Sequence, residues 1–168
     1  MSLRRTACIL DKRRYNIASM KARVTKLPVY AAVIACLGLI DSAYLWLIKI
    51  TNNEALCIPG IGDCWSVNNS KYSEFYGIPI SVFGVATYIT ILILILAEKK
   101  SGTKHNNLIL AQFGITLVGF IFSLYLTYIQ YGVLKAFCPF CLISALCMTA
   151  LFVISIIRLA KSVAKVQD

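Results

Sequence analysis

Charge is scarce in this sequence, and negative charge most of all. Only 14% of the 168 residues are Asp, Glu, Lys or Arg, where soluble domains carry about 25%. Seven acidic residues stand against 17 Lys/Arg, a net charge of +10. Apolar residues make up 59% of the chain, and the mean hydropathy is +0.76. Together these figures exclude an ordinary soluble domain and indicate an integral membrane protein. A +10 charge on a soluble protein would suggest nucleic acid. Beside long apolar runs it reads as membrane topology, and no nucleic-acid partner is expected. Histidine is nearly absent too. His105, the single one, lies in a lysine-bearing polar turn and is read as solvated, without a catalytic role. Residues 1–27 hold eight Lys/Arg and lack the apolar core that a cleaved signal peptide requires. They are read as a basic cytosolic tail, lying on anionic lipid or serving only to set topology.

Four apolar runs follow, at about residues 28–50, 78–97, 108–131 and 138–157. Each is about 20 residues or more, enough to cross a hydrocarbon core of about 30 Å. Pro28 suits the start of the first helix. The expected fold is an all-α integral membrane protein. It is a four-transmembrane-helix bundle, residues 28–158, followed by a basic tail at 159–168. Fourteen of the 17 Lys/Arg fall in the N-terminal tail, the turn at 98–107 and the C-terminal stretch from Arg158 on. The positive-inside rule then makes both termini cytosolic and the loops at 51–77 and 132–137, with the C-x-x-C that follows, extracytoplasmic.

Those two loops hold the informative cysteines. Cys57 and Cys64 flank the turn-forming Ile-Pro-Gly-Ile-Gly-Asp, and Cys138-Pro-Phe-Cys141 opens the fourth run. The remaining three (Cys8, Cys36, Cys147) read as neutral or packing residues. An internal repeat links the two pairs. Gly38-x3-Ser42-x-Tyr44-Leu45 in the first run matches Gly119-x3-Ser123-x-Tyr125-Leu126 in the third, and each serine precedes a cysteine by 15 residues. Small residues at that spacing also let membrane helices approach closely. Asp41 is the odd residue of the first run: a carboxylate at a span centre costs roughly 2.5–3.5 kcal/mol. It reads either as a proton or cofactor contact or as an interhelical hydrogen bond.

Three chemistries are open to the four loop cysteines. A C-x-x-C at a helix start has its thiolate favoured by the helix dipole, which suits disulfide exchange. Two pairs also match a four-thiolate zinc site, although the 57/64 spacing is loose for a zinc knuckle. Structural disulfides stapling a membrane protein of another function are the third reading.

The pattern resembles the vitamin K epoxide reductase family in its microbial form. The residues that carry the resemblance are Cys57 and Cys64, Ser70-Lys71-Tyr72, Phe75-Tyr76-Gly77-Ile78-Pro79-Ile80-Ser81-Val82-Phe83-Gly84, and Cys138-Pro-Phe-Cys141. The other four-helix quinone-linked disulfide oxidases place their C-x-x-C in the first outer loop, the reverse of the order here. The resemblance implies a membrane thiol–disulfide oxidoreductase built around a quinone of ubiquinone or menaquinone type. Electrons would pass from a thioredoxin-like partner through Cys57/Cys64 to Cys138/Cys141 and on to the quinone, supporting disulfide formation in exported proteins. In that scheme Cys57 meets the partner, Cys64 exchanges with Cys138, and Cys141 engages the quinone. Ser70 matches the family's loop Ser/Thr near the active site. No resident metal is implied. Many microbial relatives carry a fused thioredoxin-like domain; this sequence ends at Asp168, so the expected partner acts in trans. The vertebrate members hold vitamin K with an Asn and a Tyr, whose ungapped matches here are Ile80 and Ala145, so epoxide reduction is not expected. Aromatics near the outer face are candidate quinone contacts: Phe83, Phe113, Tyr128 and Phe137, with Phe75 and Tyr125.

Overall fold

The computed structural model describes residues 2–51, 63–75, 77–100 and 105–166. Five helices make up nearly all of it: α1 (Ser2–Thr51), a short α2 (Cys64–Asn68), α3 (Ile80–Lys100), α4 (His105–Tyr128) and α5 (Pro139–Val166). The segments long and apolar enough to cross a membrane are Lys26–Thr51, Ile80–Glu98, Asn107–Leu134 and Pro139–Ala164. They close a ring in which α1 packs on α3 and α5, α4 packs on α5, and α3 packs more sparingly on α4. Large apolar side chains such as Ile40, Leu96, Val118 and Leu146 point outward and are more than half exposed. In water such a surface would aggregate; in lipid it is the solvent-facing side.

Several boundaries differ from those read in the sequence. The helical backbone of α1 begins at Ser2, so Pro28 lies inside a helix rather than at its start. Hydropathy marks where lipid begins, not where helical backbone does. At the other boundary α3 starts at Ile80, because Ile78–Pro79 pairs antiparallel with Glu74–Phe75 as a two-strand hairpin, β1 and β2. Pro79 disfavours helical backbone at Ile78, which is why the hairpin ends there. The helical path of α4 runs on as a wider π-type turn, Ile129–Leu134, leaving a connection of only four residues to α5.

The repeat noted in the sequence marks two helix crossings. A Cβ built on Gly38 would lie 2.3 Å from the Tyr88 ring, and one on Gly119 would lie 2.9 Å from Met148 Sδ. Gly38 is therefore required by close approach to the buried ring, while at Gly119 the helices also lie close but the end of the flexible Met148 side chain is what a Cβ would meet. Tyr88, 1% exposed, packs with Ala31, Ala35, Ile91 and Leu151 in the bundle core. Its hydroxyl donates to the Ser144 carbonyl at 3.0 Å and so ties α3 to α5.

At the end of the bundle away from the cysteines, Arg158 is not a tail residue. It is 7% exposed. Its guanidinium donates to Gln112 Oε1 at 2.6 Å and pairs with the Glu98 carboxylate, joining α3, α4 and α5. The adjacent Thr116 and Ser155 hydroxyls hydrogen-bond to each other at 2.8 Å. Breaking a buried pair from one side strands a charge, at about 3–5 kcal/mol, whereas replacing both partners is far less costly. Arg158→Met is accordingly expected to lower the melting temperature in detergent markedly, and Glu98→Gln/Arg158→Met to recover most of the loss. An equal fall in both would show that the pair itself contributes the stability.

Candidate functional site

The site forms where the loop after α1 folds down onto the start of α5. Lys49, at the last turn of α1, holds that loop. Its ammonium donates to Asn68 O (3.0 Å), Asn69 Oδ1 (3.1 Å) and Ser73 Oγ (3.3 Å), and pairs with Glu74 at 3.0 Å. Asn68 Nδ2 adds a bond to Leu45 O at 3.1 Å. Within the loop Asp63 caps α2, its carboxylate accepting the Ser66 N–H at 3.0 Å. That hydrogen bond lowers the Asp63 carboxyl below its usual 3.8. The cap is therefore formed above the ordinary carboxylate range and is lost only as pH falls through the lowered value. The Asp63 N–H donates to Phe137 O at 2.8 Å, joining the first loop to the residue before Cys138.

Gln130 supports the second loop. Its main-chain carbonyl accepts the N–H groups of Lys135 and Ala136, the latter at 3.2 Å, and Lys135 takes the left-handed conformation (φ 49°) that closes this turn. The Gln130 side-chain oxygen accepts the Cys138 N–H at 3.4 Å. Cys138 then caps α5. Its carbonyl accepts the Leu142 N–H at 3.2 Å, and its sulfur accepts the Cys141 N–H at 3.4 Å. Pro139 occupies the first helical position, where its missing N–H is harmless.

These two supports bring Cys64 and Cys138 together. Both are buried, at 3% and 0% exposure, in one cluster with Leu45, Ile48 and Val67, against which Phe140 and Cys141 pack. Cys138, one residue ahead of the last span, stands between the other two sulfurs. The Cys141 thiol and then the Cys64 thiol hydrogen-bond to it, and together with the helix-start amides they hold it below the ordinary thiol value of 9.0. A thiolate so stabilised is the species that takes part in disulfide exchange.

Behind this cluster lies a cavity of about 160 Å³ inside the bundle. Cys141, Phe83 and Ser70 line it, as do Ile80 and Ala145. The two positions that match the vertebrate Asn and Tyr thus do face the cavity, but with apolar side chains. Ser70 also shapes the loop, donating to Val67 O at 2.9 Å. The other aromatic candidates do not line the cavity. Phe113 stacks on Phe152, Phe137 packs on Tyr131, and Tyr125 and Tyr128 are 54% and 69% exposed. Cys57 and the side chain of Phe75 lie outside the described residues.

Lys49, Asn68 and Gln130 had no signal as site residues in the sequence, and Ser81 stood there only as part of the matching stretch, without a role. Ser81 lines the cavity in the first turn of α3, and its hydroxyl is buried without a partner among the described residues. Thr87 and Thr90, further along α3, donate to the carbonyls four residues back. Ser81 has no such helical carbonyl behind it, since the helix starts at Ile80.

A helical membrane bundle with clustered cysteines at one end and an internal cavity beside them is the class that this fold and site define. The profile of the vitamin K epoxide reductase family matches residues 29–156. The thiol-disulfide oxidoreductase LTO1 of Arabidopsis thaliana is 36% identical over 123 residues, covering 70% of this chain and 33% of that protein. The chain belongs to the vitamin K epoxide reductase family, and it spans about a third of the length of that plant relative.

Lys49→Met is expected to free the loop that buries Cys64. Hydrogen bonds to a charged group contribute about 1.5–3 kcal/mol, less where water reaches them, as at Glu74. Alkylation of Cys64, measured by mass spectrometry in the Cys57→Ser background, should accelerate on the order of tenfold. An unchanged rate would mean that the loop is held without Lys49.

Proposed function

We propose that the chain is a membrane thiol–disulfide oxidoreductase that carries electrons from a thioredoxin-like partner to a membrane quinone and so supports disulfide formation in exported proteins. The observation that carries this reading is the order Cys64, Cys138, Cys141, cavity: one buried sulfur flanked by two others, the last of which borders a partly open cavity. In the reading, the Cys64 thiolate attacks Cys138 of a Cys138–Cys141 disulfide and releases Cys141 as a thiolate at the cavity. Cys57 then resolves the Cys64–Cys138 bond, leaving Cys57–Cys64 oxidised and the C-x-x-C pair reduced. Electrons enter when the partner's dithiol reduces Cys57–Cys64 through a mixed disulfide at Cys57.

A quinone, when bound, accepts the two electrons and two protons of the Cys138/Cys141 dithiol. The cavity suits one. Its walls are mostly apolar, Cys141 opens on it, and the partnerless Ser81 hydroxyl supplies a donor for a carbonyl oxygen. A second groove of about 480 Å³ between α3 and α4 shares Phe83, Thr87, Gly119 and Phe122 with it, and offers an apolar path for an isoprenoid tail. The asymmetric distribution of Lys/Arg supports cytosolic termini and extracytoplasmic cysteines.

The test is quinone reduction by detergent-purified protein supplied with a small dithiol. Wild type is expected to turn over; Cys138→Ser and Cys141→Ser are expected to fall to background. Cys57→Ser should chiefly lose transfer from a thioredoxin-like donor. Normal turnover in Cys141→Ser, or a stoichiometric zinc ion bound by the cysteines, would overturn the relay.

A further inference from the structure

One ionisable group near the cysteines has no part in this scheme. Asp41 sits in α1 within the membrane-spanning segment, 9% exposed, and its Oδ2 is buried without a hydrogen-bond partner among the described residues. A carboxyl in a span costs roughly 2.5–3.5 kcal/mol, and an unmet hydrogen bond adds to that cost. The fold shows how such costs are otherwise met: Arg158 and Glu98, the other buried charges in the bundle, are paired with each other. Asp41 is instead placed among sulfurs. The titratable groups close enough to act on it electrostatically are Tyr88 from α3, and Cys138, Cys141 and Cys147 on α5 and at its head, none of them hydrogen-bonded to Oδ2. Its neighbour Ser42 lines the cavity, and Leu45, one turn on, packs in the cluster of Cys64 and Cys138. An interhelical hydrogen bond, the alternative for an intramembrane Asp, is not formed by this oxygen.

We infer that Asp41 is the internal proton acceptor for the C-x-x-C pair. The inference rests on the function proposed above. Oxidation of the Cys138/Cys141 dithiol breaks two S–H bonds, forms one S–S bond and releases two electrons and two protons. The electrons leave to the quinone. The Asp41 carboxylate takes the proton of the Cys141 thiol through one bridging water as that sulfur becomes the nucleophile, then passes it to the reduced acceptor, and so ends as the carboxylate it began as; the Cys138 proton leaves to solvent when its thiolate forms, and the reduced acceptor takes its second proton from solvent. Cys138, already favoured as a thiolate by its three neighbours, has less need of a base than Cys141. The proton never has to cross the apolar bundle alone, which is what an acceptor inside the span achieves.

The test uses Asp41→Asn, which keeps shape and removes the acid, with Asp41→Glu as the conservative partner. Quinone reduction by Asp41→Asn is expected to fall by roughly 10²–10⁴-fold, the usual contribution of a positioned acid–base group. Asp41→Glu should restore part of it. The melting temperature in detergent should not fall, since an orphaned carboxyl is exchanged for a neutral amide. A quinone-free readout accompanies these. Without quinone the proton has no acceptor to pass to and stays on Asp41, so wild-type protein poised with a dithiol/disulfide buffer should show a carboxylic-acid C=O band of the oxidised form, a trough in the reduced-minus-oxidised infrared difference spectrum. That band should be missing from both Asp41→Asn and Cys141→Ser. Turnover within a few-fold of wild type in Asp41→Asn would overturn the inference. So would lost turnover accompanied by a lower melting temperature and an unchanged infrared band, which is the signature of a structural role. If wild type itself fails to reduce quinone, the proposed function falls, while the infrared band still decides Asp41.

Discussion

One backbone hydrogen bond, from the Asp63 N–H to Phe137 O at 2.8 Å, joins the two halves of the site. Cys64 and Cys138 come from segments more than 70 residues apart, and each directly follows one partner of this bond. Everything else at that end of the bundle holds this bond in place. Lys49 and Asn68 fix the first loop to α1, and Gln130 fixes the second by two carbonyl oxygens. An apolar helix bundle sets sulfur positions only loosely, because lipid-facing helices slide against one another at little cost. The polar loop bonds supply the missing precision, and they lie just outside the spans, where the backbone can be irregular.

The buried polar groups of the bundle divide by where they sit. At the end away from the cysteines they mostly satisfy one another, Arg158 with Glu98 and Gln112, Thr116 with Ser155, although Gln112 Nε2 is left without a partner among the described residues. Midway, the Tyr88 hydroxyl bonds to Ser144. Near the cysteines, Asp41 Oδ2 and the Ser81 hydroxyl are buried without a partner among the described residues. A membrane interior penalises every unmet polar atom. Two of these three atoms lie toward the C-x-x-C pair, so stability is conceded mainly there. That is the expected pattern if polar partners arrive with the reaction rather than with folding.

The spans, their number and the position of the C-x-x-C pair at the head of the last helix were legible because hydropathy and cysteine spacing are local signals. Gly38 and Gly119 were legible too, as the repeat put both at close crossings. What failed to show was anything that depends on which way a helix faces. In a helix that is apolar on all sides the 3.6-residue period carries no phase, so Phe83, which lines the cavity, and Phe113, which stacks on Phe152, looked alike. Charge counting had the same blindness. Lys49 was one of three basic residues on the outer side and Arg158 one of three in a tail, yet one organises the cysteine loop and the other is locked inside the bundle. Both act through convergence of distant segments, which composition does not record.

In the function proposed above, the cavity wall bears on how an acceptor would be recognised. Ile80 and Ala145 line it at the positions where vertebrate relatives place their polar contacts, so those contacts are absent here while the space they would address remains. Among the polar residues lining that space, the one with a buried, partnerless hydroxyl among the described residues is one residue along, at Ser81. Helix periodicity turns adjacent residues by about 100°, so a donor moved from position 80 to 81 approaches a bound ring from another side. In the function proposed above, the thiol chemistry would rest on Cys138 and Cys141 at the helix start and acceptor recognition on the first turn of α3. α5 carries one and α3 the other, and near the cavity the two helices are tied through Tyr88 and Ser144.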